Sequence, residues 1–230
     1  YRKTFMPPVD MKDGFESVIE TRLSGKAEIL IHFPLYANVK RLYIGIEEGS
    51  VLESAAEYAL EKPVVYYGSS ITHGGCASRP GNIYPAMISR ELDINFTNLG
   101  FSGKAKGEPG MADYVASLDM CAFVLDYDHN TPSEQNLIDT HEPFYKKVRA
   151  AHPDIPIIMV TAANTKLQGN VNYAGRGFLY NRREIIRRTY ENAVAAGDKN
   201  VYFIDGESFF GEEERQFCTT DTIHPNDYGF

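Results

Sequence analysis

The stretch Lys62-Pro63-Val64-Val65-Tyr66-Tyr67-Gly68-Ser69-Ser70-Ile71-Thr72 decides the fold. Four apolar or aromatic residues, two of them β-branched, read as a short buried strand over Val64 to Tyr67. Gly68 supplies turn chemistry, and Ser70 then falls at the strand's C-terminal edge, just ahead of a helix. Downstream the same pattern recurs. Apolar runs at Ile94 to Leu99, Cys121 to Tyr127, Ile155 to Thr161 and Val201 to Asp205 read as strands. Helical stretches lie between them, over Ile83 to Leu92, Met111 to Ala116, Ser133 to Ala151 and Tyr180 to Ala196. Periodicity is clearest in the last of these, where Ile185, Ile186, Tyr190, Ala193 and Val194 recur at helical spacing among Arg and Glu residues. Alternating strands and helices predict an α/β domain built on a five-stranded parallel sheet with covering helices.

Upstream of about Leu60 the pattern differs. Ser17 to Thr21, Ala27 to Phe33 and Arg41 to Gly45 read as short strands, with turn chemistry at Lys12-Asp13-Gly14, Ser24-Gly25 and Glu47-Glu48-Gly49-Ser50. The expected division is a small β unit over residues 1–60 and the α/β domain over residues 61–230. The chain starts on Tyr1 and stops at Gly229-Phe230, just past its last motif, and reads as an excerpt of something longer.

With 230 residues, 43% of them hydrophobic, the chain can bury a sizeable core. A net charge of -8 argues against a polyanionic partner such as nucleic acid. No apolar run approaches the roughly 18 residues that a membrane span needs. Three cysteines, Cys76, Cys121 and Cys218, fall in no metal-binding or redox spacing, and an odd number cannot all pair within the chain, so free thiols are expected.

In an open parallel sheet, ligands sit beyond the carboxyl ends of the strands. The polar clusters of this chain fall there. Gly68-Ser69-Ser70 follows the first strand, Gly100-Phe101-Ser102-Gly103 the second, Asp128-His129-Asn130 the third, and a long loop carrying Asp221 and His224 the fifth. A serine hydroxyl needs a base to take its proton, and the oxyanion that forms next needs donors. Ser70 is therefore read as the nucleophile, His224 as the base, and Asp221, three residues earlier, as the carboxylate that orients the imidazole. The oxyanion donors would be the backbone N–H groups of Ser70 and Gly103 and the side-chain amide of Asn130. His73, Arg79 and His129 lie close enough in sequence to these blocks to be substrate-binding candidates. The stretch Asn164 to Tyr180, rich in Gly and Asn, is long enough to form part of a substrate rim.

Taken singly, these features have ordinary readings. A serine doublet after glycine is common turn chemistry, and Asp-x-x-His is a common solvated turn. Only their order along one predicted sheet edge makes a site. Two rival classes stand beside the serine hydrolase. A metal-dependent hydrolase could use Asp126, Asp128, His129, Asp221 and His224, although their spacing lacks the paired histidines of such centres. A non-catalytic carbohydrate-binding protein could share the fold.

Gly68-Ser69-Ser70-Ile71, Asn98-Leu99-Gly100-Phe101-Ser102-Gly103, Asn130 and Asp221 to His224 together resemble, in order, the four blocks of the SGNH hydrolases, also called GDSL-type esterases. The resemblance runs from Val64 to the C-terminus. It implies a flavodoxin-like three-layer α/β/α fold, no metal or cofactor, and cleavage of ester-linked acyl groups through an acyl-enzyme. Acetyl groups on a carbohydrate are the implied substrate class, and periplasmic or secreted placement in a bacterium would suit it. The run Gly74 to Gly81 and the pair Asn226-Asp227 resemble a bacterial branch with an N-terminal β-sandwich. The chain departs from the pattern twice. Ser69 stands where the family has aspartate, and Asp128-His129-Asn130-Thr131 replaces the third block's Gly-x-Asn-Asp, leaving no glycine for the turn.

Overall fold

A computed structural model describes residues 8–21, 23, 25–163 and 179–230. Its strands are β1 (Leu60–Gly68), β2 (Ile94–Gly100), β3 (Ala122–Asp126), β4 (Ile157–Val160) and β5 (Val201–Ile204). They form one parallel sheet in the order β2-β1-β3-β4-β5. The helices between them are α1 (Ser70–His73), α2 (Tyr84–Leu92), α3 (Pro109–Ala116), α4 (Glu134–Ala151) and α5 (Leu179–Ala195). This is the α/β architecture that the alternating pattern predicts, with strand ends displaced by at most four residues. β1 begins early because Leu60 pairs with Ile94 ahead of a register irregularity that contains Pro63, which has no N–H for a ladder.

Alternation along the strands divides the core into two layers. Val65 and Tyr67 of β1, Phe123 and Leu125 of β3, and Ile157 and Met159 of β4 point to one face. They are buried there with Val115 of α3, Leu137, Phe144 and Val148 of α4, and Ile186 and Ala193 of α5. Phe144 stacks on Tyr67 at a centroid distance of 4.9 Å and on Phe123 at 5.8 Å. Val64, Tyr66, Val124 and Val160 point the other way and pack with Tyr84 of α2. Val194, read in the sequence as part of the apolar stripe of α5, is exposed instead.

The β-sandwich expected over residues 1–60 is not present among the described residues. Among the described residues between 8 and 59 there are turns and bends but no helix or strand ladder. Lys26 and Glu53 form an ion pair at 2.7 Å, and the Ala56 N–H donates to the Glu28 carboxylate at 3.2 Å, so these two stretches meet without a backbone ladder. A strand is secured by backbone pairing and by an apolar face it can bury. Here Ile29, Leu30 and Phe33 remain more than half exposed. Residues 164–178 of the predicted substrate rim lie outside the described residues. Among the described residues, no helix is long and apolar enough to cross a membrane.

The register places Gly68 of β1 opposite both Gly100 of β2 and Asp126 of β3, so three loops leave the sheet at one level. At Gly100 the fit leaves no room for a side chain: a Cβ would stand 2.2 Å from the backbone nitrogen of His73 and 2.5 Å from its Cα. Neither atom belongs to a flexible group. Gly100→Ala is expected to cost about 1–3 kcal/mol, read as a lower urea midpoint with unchanged slope. A midpoint equal to that of the wild type would show that α1 is free to move off β2.

Candidate active site

The site begins with a close approach. A Cβ on Gly68 would lie 1.9 Å from Oγ1 of Thr72 and 2.5 Å from the carbonyl oxygen of Asp126, so only hydrogen fits. The Ser69 N–H donates to that same carbonyl at 3.0 Å, and Ser69 Oγ accepts from the Ile71 N–H at 3.2 Å, capping α1. Serine in the family's aspartate position therefore still serves as an N-cap. Gly74, at φ 107, ends the helix after one turn. Ser70 is thus the first residue of a short helix placed directly at the end of a buried strand.

Beneath α1 lies a buried polar cluster that motif reading does not reveal. Thr72 Oγ1 donates to Asp126 Oδ2 at 2.9 Å, and the Tyr84 hydroxyl donates to the same oxygen at 3.1 Å. Burial, reinforced by the nearby Asp128 charge, pushes the Asp126 carboxyl up to about 7 despite the hydrogen bonds from Thr72 and Tyr84. A charged residue closing the apolar run Ala122 to Asp126 is the one sequence signal of this cluster.

His224 reaches Ser70 from the other end of the domain. Its Nε2 lies 2.7 Å from Ser70 Oγ, and its Nδ1 lies 2.6 Å from Asp221 Oδ2. A carboxylate only accepts, so Nδ1 carries the proton and Nε2 is left to accept from the serine. The other Asp221 oxygen accepts from the N–H groups of Ile223 at 3.0 Å and His224 at 2.7 Å, curling the loop into a tight turn. Thr222 takes a left-handed φ of 71 within it. Burial acts to raise the Asp221 carboxyl, but the hydrogen bonds from the His224 amide and ring and the Ile223 amide outweigh it and hold the group below its ordinary value. Asp227 then ties this loop to the segment after α1, accepting from the Ser78 N–H at 2.8 Å and from the Ser78 hydroxyl. Arg79 stands near enough for its charge to act on Asp227.

The two loops assigned as oxyanion donors leave β2 and β3, the strands on either side of β1. Asn98 fastens β2 to α1 by donating to the Thr72 carbonyl at 2.7 Å, and the Phe101 N–H donates to the Gly68 carbonyl at 2.9 Å. Gly103 then lies in a turn closed by the Lys104 N–H on the Phe101 carbonyl at 2.8 Å, with φ 70. On the other side, Asp128–Asn130 forms a single 3-10 turn in which Asn130 is buried. Arg182 of α5, itself 1% exposed, holds that turn without the missing glycine. Its guanidinium donates to the carbonyls of Asp128 and Thr131 and to the Thr131 hydroxyl. Asp128 Oδ2 also accepts from the Ala162 N–H at 2.9 Å. An arginine in the stripe Leu179, Arg182, Ile186, Thr189, Ala193 is the signal that sequence reading passed over.

The remaining candidates separate. His129 is buried beside the site. Desolvation lowers its basicity, with Asp128 acting to raise it and Arg182 and His224 to lower it. His73 turns away from Ser70: its Nε2 donates to the Leu35 carbonyl at 2.5 Å, and its ring stacks on Tyr36. The acids and histidines of the metal-site alternative do not gather. Asp126 faces Thr72 and Tyr84 while Asp221 faces His224, and among the described residues no group of three or more His, Cys, Asp or Glu converges as a metal site. Cys76, Cys121 and Cys218 are unpaired in the structure.

The raised Asp126 value gives a pH test. The neutral carboxyl is the form that the fold favours, so its contribution is complete below the ordinary value of 3.8 and is lost as pH rises through about 7. Asp126→Asn keeps an oxygen acceptor for Thr72 and Tyr84 but cannot ionise. Relative to the wild type it is expected to gain stability steadily from about pH 4 to about pH 7, at up to about 1.4 kcal/mol per pH unit. Urea unfolding across that range measures the difference, and a wild-type-minus-variant gap independent of pH would refute the buried neutral acid.

Residues 61–230 match the GDSL-like Lipase/Acylhydrolase family. Among solved structures, the chain is similar to a protein from Bacteroides ovatus described as a GDSL-like lipase, at 38% identity and a TM-score of 0.65, covering 74% of this chain and 49% of that one. It is also similar to a salicylyl-acyltransferase from a tetracycline biosynthetic pathway, at 21% identity and a TM-score of 0.65, covering 74% and 51%. A third is a family two carbohydrate esterase from Clostridium thermocellum in complex with cellohexaose, at 17% identity and a TM-score of 0.56, covering 76% and 62%. At such identities the last two share the fold alone, and the chain spans about half the length of the first two. A search among curated proteins returns no match. With the match running through all five strands and both loops that carry Ser70 and His224, the chain belongs to the GDSL-like lipase/acylhydrolase family.

Proposed function

We propose that this chain is a serine esterase that removes acetyl groups from a carbohydrate. The observation that carries the reading is the unbroken run of hydrogen bonds from Ser70 Oγ through His224 to Asp221, at 2.7 and 2.6 Å. In the proposed reaction His224 Nε2 takes the serine proton as Ser70 Oγ attacks the ester carbonyl. Asp221 stabilises the resulting imidazolium. The backbone N–H groups of Ser70 and Gly103 and the Asn130 side-chain amide receive the oxyanion, a contribution for which each donor is typically worth about 10²–10³ in rate. Collapse of the tetrahedral intermediate breaks the C–O bond to the alcohol, which leaves with the proton from His224. Water then attacks the acyl-enzyme with His224 again as base, releasing acetate and restoring Ser70.

The substrate class rests on the family match, on the carbohydrate esterase that shares the fold, and on the polar groups of Tyr36 and Ser102, bonded to one another, with Ser102 in the loop that carries Gly103. Division of the chain into residues 1–60 and 61–230 remains part of the same proposal. The reading is tested with p-nitrophenyl acetate and longer acyl esters, using wild type and Ser70→Ala with and without EDTA. Turnover is expected to survive EDTA, to favour acetyl over longer chains, and to fall at least about a thousandfold in Ser70→Ala. Turnover that persisted in the variant would move the nucleophile elsewhere. Loss with EDTA would favour metal-dependent hydrolysis, and sugar affinity without any turnover would make the chain a binding protein.

A further inference from the structure

Tyr36 lies in the extended N-terminal segment, yet its contacts are with the active-site loops. His73, the last residue of α1, donates Nε2–H to the Leu35 carbonyl at 2.5 Å and so fixes the backbone beside it. The Tyr36 ring stacks on the His73 ring with centroids 4.2 Å apart and planes 25° from parallel. Its hydroxyl donates to Ser102 Oγ at 3.4 Å, in the loop that carries Gly103. A methyl placed on Gly75 would stand 3.2 Å from that hydroxyl and 3.3 Å from Cδ2 of His224, so the phenol and the imidazole both border the space over Gly75. Tyr36 nevertheless remains 60% exposed. One face of the ring is covered by His73, and among the described residues no ring is stacked on the other.

Which part of an ester would meet that second face follows from the direction of proton flow. The acyl carbon is held by Ser70 Oγ and the oxyanion donors. The alcohol oxygen must lie at His224 Nε2, which returns the proton to it, and Cδ2 is the carbon bonded to Nε2. Tyr36, which shares the space over Gly75 with Cδ2, is accordingly assigned to the side of the leaving alcohol. An aromatic face with a hydroxyl at its edge matches the C–H face and ring hydroxyls of a pyranose.

Resting on the carbohydrate esterase reading above, we propose that Tyr36 is a specificity-determining residue whose second face receives the sugar ring of the acetylated substrate. Tyr36→Ala, Tyr36→Phe and Tyr36→Trp would be compared with the wild type on acetylated gluco-, manno- and xylo-oligosaccharides and on ethyl acetate, which has no ring. The readout is the ratio of kcat/KM for the best oligosaccharide to that for ethyl acetate. In Tyr36→Ala this ratio is expected to fall about tenfold or more, carried mainly by KM. Tyr36→Phe and Tyr36→Trp, which keep the ring face, are expected to retain most of it. An unchanged ratio in Tyr36→Ala, with the wild type active on the oligosaccharides, would overturn this role for Tyr36 and leave the esterase reading standing. Wild-type turnover of ethyl acetate with none of any acetylated oligosaccharide would overturn the carbohydrate assignment and the role of Tyr36 together.

Discussion

At Gly68, the backbone of β1, the hydroxyl of Thr72 and the carbonyl of Asp126 meet at distances that admit no Cβ, and the geometry of the sheet edge depends on that contact. It brings the first turn of α1 down onto the end of β3. From there the Ser69 N–H and Thr72 hydroxyl bond to Asp126, and Asn98 bonds to the Thr72 carbonyl from β2. Three neighbouring strands thus grip one four-residue helix. So short a helix has little stability of its own, and its orientation is imposed by the strands around it. The position of Ser70 Oγ is therefore a property of the sheet.

The price of this arrangement is a set of buried polar and charged groups at the strand ends. Arg182 and Asp128 are each 1% exposed, and Asp126 is 6% exposed. Burying a guanidinium costs several kcal/mol unless its donors are used, and here the Asp128–Thr131 turn takes them. Removing a partner would leave a buried charge uncompensated, so the cluster constrains loop shape strongly whatever its net stability. This accounts for a third block that folds tightly with no glycine in it: side-chain donors from α5 hold the turn that the backbone alone would not choose.

How much of this was legible in the sequence follows the distance over which each feature acts. The strands were legible because Val64 to Tyr67 or Ala122 to Leu125 are runs of local apolar character, and α5 because its apolar stripe repeats within a few turns. Asp221 and His224 were legible because the contact that orients the imidazole spans three residues. The Thr72–Asp126, Arg182–Thr131 and Tyr36–Ser102 contacts span 54, 51 and 66 residues, and no local pattern encodes them. The N-terminal strands were the converse case. Ala27 to Phe33 has strand-like composition, but pairing requires a partner at the correct register, and composition does not specify one. His73 was likewise assigned by proximity to Ser70, while its ring direction is set by Leu35 and Tyr36.

Ser70 and His224 are 154 residues apart in the chain, whereas β5, the last of the described strands, closes at Ile204. All five strands are therefore synthesised before Asp221 and His224 emerge, and before Asp227 can tether their loop to Ser78. A nascent chain can complete this sheet and set Ser70 at its edge before the imidazole that bonds to its hydroxyl has been made. The Ser70–His224 contact is thus a late and separable event, confined to a short loop that closes on strands already made.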